Sequence, residues 1–328
     1  MESLSFTQCA CVLFEQAPKM EEVVRALAEW PVSGYRKQGA GEYDWALCGP
    51  GVVLDLRGEG FAVVDVVDRP WPDDVQTALD TPALASAWRA GAFGPYSSPG
   101  TLARALDQAG EDGSALSRHG GFIRIRSAFA GKGPPPKRRG GPTYDLMTLT
   151  EVATPLMRLE GALAFFVPAG EALRDRKQLE EVAKRKVGGP APVDLWTSVR
   201  AIALPPEGGK TWLLLDVVGM NQLGLPDQEA IFAEGEEQPE AVEAMLRNAC
   251  VHLLSAPIAP GSTSDDAKGR RWRAREAVGI VAPPRPVLRW LPEESAHLPE
   301  ATLARLAEVS TAGTGSDRGT AGPGSSSP

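Results

Sequence analysis

Apolar runs in this chain come in close pairs joined by glycine-bearing turns, and the pairing dictates an antiparallel core. Val52 to Leu56 and Phe61 to Val67 flank Arg57-Gly58-Glu59-Gly60. Leu195 to Leu204 and Thr211 to Val218 flank Pro205-Pro206-Glu207-Gly208-Gly209. So short a link returns the second run beside the first in the opposite direction, whereas a parallel return needs a crossover of about a dozen residues. Helical stretches fall irregularly between such pairs. The expectation is therefore an α+β fold with mixed, mainly antiparallel sheets and flanking helices, not a regular alternation around a parallel sheet.

Further strands are expected at Phe6 to Phe14, Tyr43 to Cys48, Gly121 to Phe129, Ala162 to Val167, Trp272 to Ile280 and Val287 to Leu291. Helices are expected at Pro18 to Trp30, Pro82 to Ala90, Pro99 to Ala109, Tyr144 to Leu159, Glu171 to Lys186, Pro239 to Ser255 and Glu300 to Glu308. In the helix from Pro239, Val242, Met245, Leu246, Ala249, Cys250 and Leu253 keep the helical period throughout. The Pro- and Gly-rich stretch from Lys132 to Pro142 excludes helix and central strand and reads as a loop. After Ser310 the chain is Gly, Ser, Thr and Pro, a composition that buries no apolar area and reads as disordered. The expected organisation is an N-terminal α+β half over 1–130, a C-terminal half over 143–309 and a tail over 310–328. Val63 to Asp68 (VVDVVD) echoes Leu214 to Gly219 (LLDVVG), which suggests that the halves are related.

With 43% hydrophobic residues the chain can fill a core. Glu2 precedes the first apolar run without Lys or Arg, unlike a secretory leader, so the reading is cytoplasmic. No run approaches the roughly 20 apolar residues of a membrane helix. The four cysteines form no C-x-x-C pair, so they read as buried thiols. A net charge of −8 argues against nucleic acid and suits a basic protein partner.

The motifs of common chemistries are absent. Gly208-Gly209-Lys210-Thr211 resembles the end of a phosphate loop, but Leu204 stands where the first glycine belongs and a strand follows where a helix is needed. No G-x-G-x-x-G, G-x-S-x-G or H-E-x-x-H occurs. The three histidines are far apart, so no metal set and no cofactor is expected. His119, with Arg124 and Arg126 on one face of a strand, could hold an anion. Asp216 at a strand end, with Asp227 and Glu229 in the Gly- and Pro-broken segment beyond, is the one acidic cluster that could bind a divalent cation or act as acid and base. Trp71 and Trp272 flank turns near Arg and Pro, as interaction hot spots do.

Several blocks taken in order resemble an uncharacterised bacterial family, a domain of unknown function. They are VVDVVDRPWPDD (Val63 to Asp74), AWRAGAFGPYSSPGTLARAL (Ala87 to Leu106), HGGFIRIRSAF (His119 to Phe129), GALAFFVPAGEAL (Gly161 to Leu173), DLWTSVRAIAL (Asp194 to Leu204), DVVGMNQLGLPDQEAIF (Asp216 to Phe232) and PPRPVLRWLP (Pro283 to Pro292). The resemblance implies a shared α+β domain and a bacterial source, and no catalytic residues.

The expected function is that of a non-enzymatic protein that binds another macromolecule, in the form of an immunity or regulatory protein. The candidate interaction residues are Trp71, His119, Arg124, Arg126, Asp216, Asp227, Glu229 and Trp272. The competing classes are a metal-assisted hydrolase using Asp216, Asp227 and Glu229, and a structural or assembly component.

Overall fold

The computed structural model describes residues 5–36, 48–56, 60–73, 82–89, 99–129, 141–184, 191–281 and 284–293, with Phe93, Pro299, Ala301 and Ala304 as single positions. The fold is α+β with two mostly antiparallel sheets. The chain forms two compact units. Unit 1 comprises Met1–Arg200, Val217–Leu225 and Leu253–Ser255, and unit 2 comprises Ala201–Asp216, Pro226–His252 and Ala256–Pro328. Residues 143–200 therefore belong with the N-terminal part of the chain. Among the described residues no helix is long and apolar enough to cross a membrane.

Unit 1 is built on a seven-stranded sheet of order β2-β3-β4-β5-β1-β6-β7. The strands are β1 (Ser5–Phe14), β2 (Val32–Arg36), β3 (Gly51–Asp55), β4 (Phe61–Val67), β5 (Gly121–Phe129), β6 (Ala162–Val167) and β7 (Ala172–Arg174). Side chains alternate across a strand, so register decides which residues share a face. Cys9 lies opposite Arg126, Cys11 opposite Arg124 and Leu13 opposite Phe122. On the next strand Asp65 lies opposite Arg124 and Val67 opposite Phe122. That face is covered by α2 (Pro82–Arg89) and α3 (Thr101–Ala109), through Leu84, Ala87, Leu102 and Ala105. Helix α5 (Gly141–Leu156) packs on β1 and β5, where Val12, Ile123 and Ile125 are buried on the alternate face. Helices α1 (Met20–Ala26), α4 (Glu111–Leu116), α6 (Arg176–Ala183) and α7 (Val193–Trp196) complete the described helices of unit 1.

The other sheet has the order β11-β12-β13-β10-β9-β8 and lies largely in unit 2. Its strands are β8 (Ser198–Glu207), β9 (Lys210–Val218), β10 (Asp227–Ala233), β11 (Thr263–Asp265), β12 (Arg271–Val278) and β13 (Pro286–Pro292). Leu204, Trp212, Leu214, Ile231 and Leu291 form one of its apolar clusters. Helix α8 (Pro239–Leu253) carries the expected apolar stripe, with Val242 and Leu246 wholly buried.

Three expectations about local structure change. The segment from Asp227, read as an irregular exit, is a strand whose seven residues are all buried. Its leading Asp-Gln-Glu hides the strand pattern, because ion pairs and hydrogen bonds replace apolar contacts there. The helix expected from Glu171 starts at Arg176, after the short strand β7, and Asp175 caps it by accepting from the Gln178 N–H at 2.7 Å. The strand expected from Leu195 starts at Ser198, after the short helix α7 (Val193–Trp196). The strand expected at Tyr43 to Cys48 lies outside the described residues except for Cys48. So do most of the loop at 132–142, most of the helix at 300–308, and the tail.

Candidate functional site

In unit 2 the carboxylates singled out by sequence converge, but on arginines. Asp216 near the end of β9 and Asp227 at the start of β10 are both shut off from solvent. Arg285, just before β13, donates from Nη2 to Asp216 Oδ1, from Nε to Asp227 Oδ2 at 2.5 Å, and from Nη1 to the Val281 carbonyl at 2.9 Å. Burial works against the Arg285 charge, yet the two carboxylates hold its ionisation above the ordinary arginine value.

The neighbouring pair follows from strand register. β10 and β13 run parallel with Glu229 opposite Arg289 and Gln228 beside Leu288. Arg289 Nε donates to Glu229 Oε1, and the Ile280 N–H reaches Glu229 Oε2 at 3.5 Å. Burial raises the Glu229 carboxyl above its usual range, and Arg289 opposes the rise. On the alternate face the Trp290 indole N–H donates to Gln228 Oε1 at 2.9 Å. Trp272, wholly buried, donates its indole N–H to Asp266 Oδ2 at 3.2 Å. Among the described residues no group of three His, Cys, Asp or Glu side chains is placed to hold a metal ion.

A shallow groove of about 480 Å³ lies beside this lock. Its walls include Pro226, Ile258, Val278, Pro284 and Pro286, with Glu276 as its acidic group and Arg285 at its edge. Val278 is 59% exposed, an apolar side chain left in water.

In unit 1 the arginines of the His119 block are also committed. Arg124 grips Asp65 with two hydrogen bonds, and Arg126 Nη2 lies 3.4 Å from Asp65 Oδ1. All three side chains have no solvent exposure. Burial opposes the Asp65 charge, but the guanidinium groups of Arg124 and Arg126 outweigh it and hold the carboxyl below its usual range. Burial and the repulsion of Arg124 pull Arg126 down to about 10. Cys48 donates its backbone N–H to Asp65 Oδ2 at 2.9 Å. Burial and the Cys9 thiol push Cys11 well above the ordinary thiol value. Cys9 is buried too, but the Cys11 hydrogen bond and the two arginines bring it below that value.

His119 does not face the arginines. Its Nε2 accepts from the Trp71 backbone N–H at 2.8 Å, and its Nδ1 lies 3.2 Å from the Leu116 carbonyl. Trp71 sits in a ring cluster with Trp88, Phe93, Phe122 and Phe166. All eight residues singled out by sequence are thus buried. Trp71 and Trp272 are core residues and form no surface hot spot. Pro70 and Pro72 flank Trp71 just after β4, and Arg271 and Arg273 flank Trp272 at the start of β12.

Sequence reasoning missed Asp65, Arg285 and Arg289. Each is a charged residue inside an apolar strand run (VVDVV) or its flank (RPVLRWL), and a charge there demands a buried counter-charge. The partners could have been sought among the acids of the Asp216 segment.

The class that emerges is an α+β protein whose second sheet is locked by buried ion pairs. Residues 216–291, which hold the whole lock, match a domain of unknown function (DUF4261). No curated protein and no solved structure matches the chain.

Proposed function

We propose that the protein is a non-catalytic binder of a basic protein partner, which it receives through an apolar segment in the proline-walled groove of unit 2. The observation that carries this reading is the commitment of the acids. Asp216 and Asp227 share the buried guanidinium of Arg285, and buried Glu229 holds the partly buried Arg289, so they serve as internal counter-charges rather than as an acid–base set. The groove supports the partner's chemistry. Val278 and three prolines offer a rigid apolar wall, Glu276 offers a negative rim, and the net charge of −8 favours encounter with a basic surface. An immunity or regulatory role in the bacterial cytoplasm is the specific form of this reading.

The test places a photo-crosslinking side chain at position 278 of the full chain and, as a control, at exposed Tyr144. A single stoichiometric basic protein captured at 278 alone, and lost on Glu276→Lys or in high salt, supports the proposal. Capture at neither position, or equally at both, overturns it.

A further inference from the structure

His119 ties together the segments that hold the helical layer of unit 1 on its sheet. A backbone N–H only donates and a carbonyl only accepts, so its two contacts admit one tautomer: a proton on Nδ1 facing Leu116 and a bare Nε2 facing Trp71. A second proton would set N–H against N–H. Much hangs on that bond. The Trp71 indole packs edge-on against Phe93, Phe122 and Phe166 at centroid distances of 5.0, 5.4 and 5.1 Å. Two residues on, Asp73 accepts from the Leu102 and Ala103 N–H groups, both at 2.8 Å, and so caps α3. One three-residue stretch thus carries the aromatic hub and a helix cap.

We infer that His119 is an acid-sensitive latch: protonating its imidazole breaks the Trp71 bond and frees the Trp71–Asp73 stretch, and with it α3, from the seven-stranded sheet. Asp73, on that stretch, is the charged group whose field reaches the ring, and Arg118 adjoins His119 in the chain. Burial keeps the ring neutral below the ordinary histidine range. The Leu116 carbonyl and Asp73 pull the other way and are outweighed. Because the folded value is the lower one, the latch contributes in full above the ordinary value of 6.5 and is lost as pH falls toward the folded value.

Hydrogen–deuterium exchange of the full chain from about pH 8 to about pH 5, corrected for intrinsic rates, tests this. Opening of residues 68–73 and 101–109 should grow about tenfold per pH unit below the ordinary histidine value, then level off at the folded one. His119→Gln offers an amide oxygen with no proton to gain, so its protection should not change with pH. Acid loosening that persists in His119→Gln, or is missing in the unaltered protein, overturns the latch. Should His119→Gln fail to fold, the ring nitrogens of the unaltered protein decide by NMR. A proton on Nδ1 with titration below the ordinary value supports the latch, and the opposite tautomer or titration above that value overturns it.

Discussion

Arg124 closes two parallel hydrogen bonds on Asp65, Nε to Oδ1 at 3.0 Å and Nη2 to Oδ2 at 2.6 Å, with both side chains wholly out of solvent. The antiparallel register of β4 and β5 sets the residues opposite each other. Phe93 covers the guanidinium, its ring centroid 4.8 Å away. Removing the carboxylate takes away the counter-charge that two buried guanidinium groups share. Asp65→Ala should therefore lose about 3–5 kcal/mol in urea unfolding. Because the Asp65 carboxyl titrates low in the fold, its contribution is complete above the ordinary value of 3.8 and is lost as pH falls below it. The acid limb of the stability curve should flatten in Asp65→Asn.

The Arg285 lock predicts coupling between two strands. Arg285→Met leaves Asp216 and Asp227 buried without their shared cation and should cost about 3–5 kcal/mol. Combining it with Asp216→Asn should cost less than the sum of the single changes, because they act on one network. A double-mutant cycle by urea titration measures this.

The same lock predicts indifference to divalent cations. Magnesium, manganese and calcium should leave the thermal midpoint unchanged, since a site bound at about 100 times its dissociation constant would add roughly 2.7 kcal/mol. A shift that disappears in Asp216→Asn would restore the metal-assisted hydrolase.

Gly170 predicts a strong steric effect. A Cβ there would lie 1.8 Å from the Trp196 carbonyl oxygen, a backbone atom with nowhere to go. That carbonyl also accepts from Gln222 Nε2 at 3.0 Å. Gly170→Ala should destabilise unit 1 by about 3 kcal/mol or more, read from thermal unfolding. Gly141→Ala meets open space and is the control for crowding alone, since only its φ of 58° resists the change.

The hairpins were legible because two features agreed, apolar runs and glycine turns: β3–β4 and β8–β9 lie where those pairs fall. Helix α8 was legible from its seven-residue stripe. β10 was not, because Asp227-Gln228-Glu229 looks like a solvated exit until Arg285, Trp290 and Arg289 are placed beside it. Those partners lie 58, 62 and 60 residues further along the chain, and no local pattern reports such a separation. The sequence singles out these carboxylates, and the structure sets arginines beside them. His119 was grouped with Arg124 and Arg126 by proximity in the chain, although its partner, the Trp71 backbone, lies 48 residues away.

The parallel pairing of β10 with β13 has a consequence for assembly. α8, β11 and β12 all lie between these strands in the chain, so β10 is synthesised well before the strand that completes it. Non-local pairing of this kind closes slowly. A β10 not yet joined by β13 would carry Asp227 and Glu229 as ionised, hydrated carboxylates. Inward-pointing charge of this sort discourages pairing with a second, equally unfinished chain. The arginines that arrive with β13 then turn that safeguard into a fastening.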